Sequence, residues 1–250
     1  MKKLFENEMY KIFRSKRIYI FCGILAFVAL VFSLIVKQVY MAGQFGEDIT
    51  LKELAVQYPL QLLSTVSDLL LPIFATLMIT FLIADEYNEG TLKLSILSGY
   101  GRNRIIISKV LAVIVATVIM LVVVYITSYL GSFLAFGSAV IQNDVGYNIA
   151  AYVWSLLPLI TWIVFNFFLA LYIKNSGIIV GVVVGITLVS SILSSMLPRL
   201  SSYIGTYYLK AIAASFSTVN LGMAAVVCFM YMFLFGTVSY VKFIKMDIEK

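Results

Sequence analysis

Long apolar runs separated by short polar ones govern this chain. Six segments have the roughly 20 predominantly apolar residues that a membrane-crossing helix needs. They are residues 18–36, 62–84, 110–136, 150–173, 177–197 and 221–241. Pro72 and Pro158 fall inside the second and fourth segments and predict kinks, which neighbouring helices tolerate. Pro198 ends the fifth. The first 17 residues show a different pattern. Leu4, Phe5, Met9, Ile12 and Phe13 share one helical face, while Lys2, Lys3, Glu6, Lys11, Arg14 and Lys16 lie mostly elsewhere. That predicts an amphipathic helix lying in the interface plane and feeding the first span at a bend. The alternative is a plain basic flank that sets topology only.

The expected fold is therefore all-α: one transmembrane domain over residues 1–250. Residues 1–17 form the interfacial helix and 18–84 spans one and two. Residues 85–109 form a loop, 110–241 spans three to six, and 242–250 a tail. Composition agrees. Hydrophobic residues make up 62% of the 250 and charged residues 12%. Soluble domains run near half apolar and a quarter charged. The first apolar run begins only after Arg17, is too long for a signal-peptide core and lacks a small-residue cleavage site, so it is expected to be retained.

Charge sets the orientation. Lysine and arginine gather in three places: before span one, in the loop after span two (Lys93, Arg102, Arg104, Lys109), and around the tail (Lys242, Lys245, Lys250), with Lys174 after span four. Only Lys37, Lys52, Arg199 and Lys210 fall on the other side. The positive-inside pattern predicts both termini in the cytoplasm. It also explains the net charge of +6 without nucleic acid.

Several chemistries drop out. The chain has no histidine, which removes most zinc sites and Ser-His-Asp triads. Cys22 and Cys228 lie inside apolar runs and read as small buried hydrophobes. No catalytic residue and no metal ligand is expected. No G-x-x-x-x-G-K-[ST] occurs, so the chain binds no nucleotide through a P-loop.

The outer loops carry weaker signals. Thr50 and Glu53 make a T-x-x-E capping box, predicting a short helix before span two within Asp48–Tyr58. The stretch 198–220 is long enough for a half-inserted helix. Its Tyr203, Tyr207 and Tyr208 read as interface anchors or as an exit gate.

The loop 85–109 is about seven helical turns long, far more than lipid-buried helices need to connect. Thr91 can cap a helix running through Ser98, with Glu86 and Glu89 at its positive end. Leu92, Leu94, Ile96 and Leu97 give that helix an apolar side, and Gly99-Tyr100-Gly101 makes a turn. Such a helix either inserts into a groove on a partner or rests on lipid headgroups; composition leaves both open. The pattern Glu86-x-x-Glu89-Gly90-Thr91-x-Lys93, then Arg102 and Lys109, resembles the cytoplasmic loop of ABC transporter permeases of the ABC-2 type. Glu8-x-x-Lys11-x-x-Arg14 is similar to that family's elbow helix, and the six-span layout matches. Gly101 departs from the proline or serine that many members carry ahead of the arginine.

The resemblance implies a bacterial plasma-membrane exporter whose ATPase is a separate cytoplasmic chain holding the ATP and Mg. This chain would bind no cofactor of its own. Two permeases, identical or paralogous, would pair, and the coupling helix of each would dock on the ATPase. Glu86, Glu89, Gly90, Thr91, Lys93 and Arg102 would transmit the stroke. The cargo would be hydrophobic or an antimicrobial peptide such as bacitracin or a lantibiotic.

In span five Gly177, Gly181 and Gly185 form one smooth face. It packs either inside the subunit or, as the resemblance implies, at a dimer seam. Asp68 and Asn166 are the notable polar groups inside spans. Both are candidate substrate-path residues: Asp68 reads equally as a substrate-path contact or a structural hydrogen bond, and Asn166 more readily as a bond across helices. The competing classes are a membrane-embedded protease using Glu86 and Glu89, a peptide-binding sensor or immunity protein, and an ion-coupled carrier. The missing histidine weighs against the first, and the lack of deeper paired carboxylates against the last.

Overall fold

The computed structural model describes residues 1–43, 50–91, 100–137, 144–214 and 216–245. Among these, all regular structure is helical. The helices are α1 (Lys2–Arg14), α2 (Arg17–Met41), α3 (Leu51–Asp68), α4 (Leu70–Thr80), a π-helical turn (Phe81–Asp85), the single turn α5 (Glu86–Asn88), α6 (Arg102–Phe136), α7 (Val145–Tyr172), α8 (Ser176–Met196), α9 (Pro198–Ser201), α10 (Tyr207–Ala214) and α11 (Leu221–Lys245). Six stretches are long and apolar enough to cross a membrane: α2, the run Leu70–Asn88, α6, α7, α8 and α11. The chain is a membrane protein by this measure.

The second span starts later than hydropathy suggests. Leu62–Asp68 belongs to α3, and the helix breaks at Leu69, whose φ of −137° and ψ of −51° leave the helical region. Pro72 explains the position. It lacks the N–H that would bond the carbonyl of Asp68, and its ring crowds that carbonyl. Pro158, by contrast, sits within a continuous α7. Pro59 also sits inside α3. It leaves the carbonyl of Ala55 without its helical partner. Ser132 of α6 donates its hydroxyl to that carbonyl at 3.2 Å.

The start of α3 follows the expected capping box. Thr50 accepts from the Glu53 amide at 3.3 Å, and Glu53 accepts from the Thr50 amide at 2.9 Å. The helix is 18 residues long, not short. Asp48 lies outside the described residues.

The bundle centres on α4 and α7. Trp162 of α7 donates its indole N–H to the carbonyl of Pro72 at 3.2 Å, and Tyr152 donates to that of Pro59 at 3.1 Å. Phe74 of α4 stacks on Phe21 of α2 with ring centroids 4.5 Å apart. Tyr58 of α3 donates to the carbonyl of Ala29 in α2. Gly131 of α6 lies against Ser33 and Ala29, where an added Cβ would meet atoms 3.2–3.3 Å away. α2, α8 and α11 are peripheral and turn large apolar side chains outward, including Phe27, Val189 and Phe233. That exposure suits lipid contact and not water.

Between α8 and α11 the chain forms α9 and α10. Of the three tyrosines there, Tyr203 is exposed, but Tyr208 is buried and donates to the Ser202 carbonyl at 2.9 Å. Tyr208 is thus a packing residue of the α10 seat.

Candidate functional site: a buried charge network at the α1 end of the bundle

Four charged side chains meet where α1 crosses the bases of two spans. Lys109 of α6 donates to Glu86 Oε2 at 2.7 Å and to Glu8 Oε2 at 3.1 Å. Lys11 of α1 donates to Glu86 Oε1 at 2.9 Å and to Glu8 Oε1 at 3.3 Å. Each carboxylate thus bridges both ammonium groups, and signs alternate around a closed ring. Lys109 is 1% exposed, Glu8 2% and Glu86 7%. Isolated charges at such burial would cost several kcal/mol each; the ring is stable only because every member is paired.

Local structure sets this up. Helical spacing places Leu4, Glu8 and Ile12 on the buried face of α1, with Lys11 beside them. The buried face thus includes a carboxylate that amphipathicity alone would assign to water. The bend between α1 and α2 is made by Lys16, which adopts a left-handed φ of 58°. The π turn Phe81–Asp85 widens the helix just before Glu86, a feature often found at functional positions. Lys11's pKa is raised. Burial is the largest single influence and pushes it down, but Glu86 and Glu8 together more than offset this.

Further contacts tie the same segment to other elements. Asp85 accepts from Arg17 at 3.4 Å and from the Ser176 hydroxyl at 2.6 Å, and the Arg17 guanidinium lies 3.9 Å from the Phe81 ring centre. Lys174 donates to the Tyr87 hydroxyl at 2.6 Å, and Asn88 donates to the Lys174 carbonyl at 2.9 Å. Thr91 donates to the Glu86 carbonyl at 3.3 Å. Arg102 donates to the carbonyl of Ile244 in the last turn of α11, where helix carbonyls lack internal partners. Residues 85–91 and the start of α6 are therefore held by α1, α2, the α7–α8 turn and the end of α11.

The sequence-derived candidates divide accordingly. Glu86, Glu8 and Lys11 converge in the ring. Lys109, noted in the sequence only as part of the loop pattern, is its hub. Arg14 points away, donating to Tyr10 at 2.6 Å. Glu89 and Gly90 are exposed, and Gly90 has φ of 73°. Lys93 and the rest of residues 92–99 lie outside the described residues, so Leu92, Leu94, Ile96, Leu97 and the expected helix through Ser98 are not described. Asp85, Arg17 and Lys174 were missed as site residues.

Elsewhere, Asn175 caps α8, accepting from the Gly177 and Ile178 amides at 2.9 and 3.2 Å. The buried side of α8 is Ile179, Val183 and Thr187. Gly177, Gly181 and Gly185 are exposed, and a Cβ at either of the latter two would meet nothing within 4 Å. Packing of that face inside the subunit is thus not seen among the described residues. Asn166 is fully buried and donates to the Trp162 carbonyl of its own helix at 2.8 Å, not across helices as expected; its carbonyl oxygen has no partner among the described residues. Asp68 accepts from Lys210 at 3.2 Å. Among the described residues no group of three or more His, Cys, Asp or Glu side chains could hold a metal ion.

No curated protein matches this chain. A family described as a protein of unknown function, DUF2705, matches residues 56–249, from α3 to the C-terminal segment. That match takes in Glu86 and Lys109 but not the α1 half of the charge ring, and by it the chain belongs to the DUF2705 family.

Proposed function

We propose that this chain is the permease subunit of an ATP-driven exporter in a bacterial plasma membrane, powered by a separate cytoplasmic ATPase. The observation that carries the reading is the charge ring. It fastens the N-terminal helix to the end of the second span and the start of the third, directly ahead of Gly90-Thr91. A force applied to the segment after Glu86 reaches α1, α2, α6 and the α7–α8 turn through short polar contacts. That is the mechanical requirement of a permease gripped by a motor.

The roles of the residues separate on burial. Glu86 transmits through the ring. Glu89 is exposed and, among the described residues, carries no ion pair, which leaves it open to a partner, with Gly90, Thr91 and Lys93 following it. Arg102 steadies the entry to α6. The open face of Gly177, Gly181 and Gly185 supports pairing with a second permease copy or a paralogue, since a helix–helix seam in lipid needs small residues and close backbones. The resemblance of the loop to ABC-2 permeases supplies the cargo class: a hydrophobic or amphipathic antimicrobial peptide.

The test uses inside-out vesicles from cells expressing the chain with its ATPase, with a fluorescent lantibiotic supplied in the outside medium. ATP-dependent uptake is expected with the native chain and its loss with Glu89→Arg, while the variant is inserted at the same level. Uptake that persists in Glu89→Arg, or that collapses with the ion gradient and ignores ATP, contradicts the reading.

A further inference from the structure

Two cavities at the other side of the molecule join end to end. The first, of about 180 Å³, is apolar and is lined by Trp162, Phe165, Ile186, Leu209 and Phe235 among others. The second, of about 300 Å³, is more polar than the first and is lined by Ser194, Ser195, Asp68 and Lys210 among others. Ser190 and Thr206 line both. The Thr206 hydroxyl, at this junction, is buried with no hydrogen-bond partner among the described residues. A buried hydroxyl left unpaired is unfavourable, so the junction suits a polar group supplied from outside.

The two cavities are stacked along the bundle axis. At 1.5 Å per residue, Phe165 stands about 10 Å and Trp162 about 15 Å from the Tyr172 end of α7, whereas Ser190 stands about 21 Å and Ser194 about 27 Å from the Ser176 end of α8. Tyr172 and Ser176 adjoin in the chain. With a hydrocarbon layer about 30 Å thick, the apolar chamber lies at mid-depth and the polar one near the far surface. This is the polarity profile of one lipid in one leaflet.

The polar chamber also matches a particular head. Ser190, Ser194 and Ser195 spend their hydroxyl hydrogens on carbonyls of α8, at 2.9, 2.7 and 2.7 Å. They therefore offer lone pairs, which suit an ammonium group. Asp68 adds a carboxylate and Lys210 an ammonium, 3.2 Å apart and both half open to solvent. A head carrying one positive and one negative group can replace each half of that pair. We infer that this joined cavity binds a zwitterionic phospholipid, its chain against Trp162 and its head between Asp68 and Lys210. The inference does not depend on the transport reading, because it requires binding alone.

Trp162 is one of two tryptophans in the chain, so a Trp154→Phe background makes it the sole reporter. The purified protein in nanodiscs is titrated with chain-brominated lysophosphatidylcholine, which quenches tryptophan on contact. Saturable quenching is expected. Brominated fatty acid and brominated alkyltrimethylammonium, each matching half of the pair, should need about tenfold more to half-saturate. The exposed pair can be removed as Asp68→Asn with Lys210→Met, which should raise the lysophosphatidylcholine midpoint by about the same factor. Gly205→Leu, projecting beside Tyr231 into the apolar chamber, should abolish saturation. Quenching that rises linearly and equally for all three head groups, unchanged in the Asp68/Lys210 variant, overturns the site as mere bulk lipid contact. Displacement of lysophosphatidylcholine by an amphipathic peptide at lower concentration overturns the lipid assignment.

Discussion

Lys109 is the residue on which the α1 end of the bundle depends most. It is among the largest fully buried side chains and pairs with both Glu8 and Glu86. Lys109→Met leaves two buried carboxylates facing Lys11 alone. Breaking a buried pair from one side costs about 3–5 kcal/mol; a marked fall in melting temperature in detergent is expected. Removing Glu86 with it, as Glu86→Gln/Lys109→Met, should cost clearly less than the two single changes summed, because the partners are coupled. Strict additivity would show that the ring does not act as a unit. Lys11 gives the ring a dependence on alkaline pH. Its folded pKa lies above the ordinary 10.5. Its contribution is therefore complete below 10.5 and is lost as pH rises through the folded value. Comparing wild type with Lys11→Met, the difference in melting temperature should be constant across neutral pH and shrink only in strong alkali. A difference that vanishes below pH 9 would contradict this. The sequence showed Glu8 and Lys11 as neighbours on a helix, but Glu8 and Lys109 stand 101 positions apart. No local spacing rule pairs them; only the docking of α1 across the spans does.

At the scale of elements, the six spans were legible because apolar runs of sufficient length have few other solutions. The start of the second was not. Leu62, Leu63 and Val66 continue the apolar run into α3, and hydropathy does not see a backbone break; Pro72, read as a kink, was the available signal for it. The N-terminal helix is legible as amphipathic, but apolar periodicity alone does not place Glu8 on its inward face, where it is buried. On α8 the spacing of Gly177, Gly181 and Gly185 was visible, and its neighbourhood was not. With open space around Gly181, Gly181→Leu should leave the subunit's own melting unchanged or slightly improved, since leucine favours a helix over glycine by nearly 1 kcal/mol. Pairing should weaken. An unchanged crosslinked dimer in that variant would mean the seam lies elsewhere.

Over the whole molecule, the two ends differ in kind. The α1 end is locked by charge, and residues 85–91 sit at the meeting point of four elements. The opposite side is open, with an apolar chamber leading to a polar one. An external motor gripping the locked end could move several helices together, and the account stands on that grip. Photo-crosslinking at Glu89 in native membranes, with azido-ATP present, tests it most directly. The account predicts an adduct between this chain and a second polypeptide that is itself labelled by azido-ATP, and none from the same probe at Met41 on the opposite end. Adducts with lipid alone, or with a partner that takes no azido-ATP label, would contradict it.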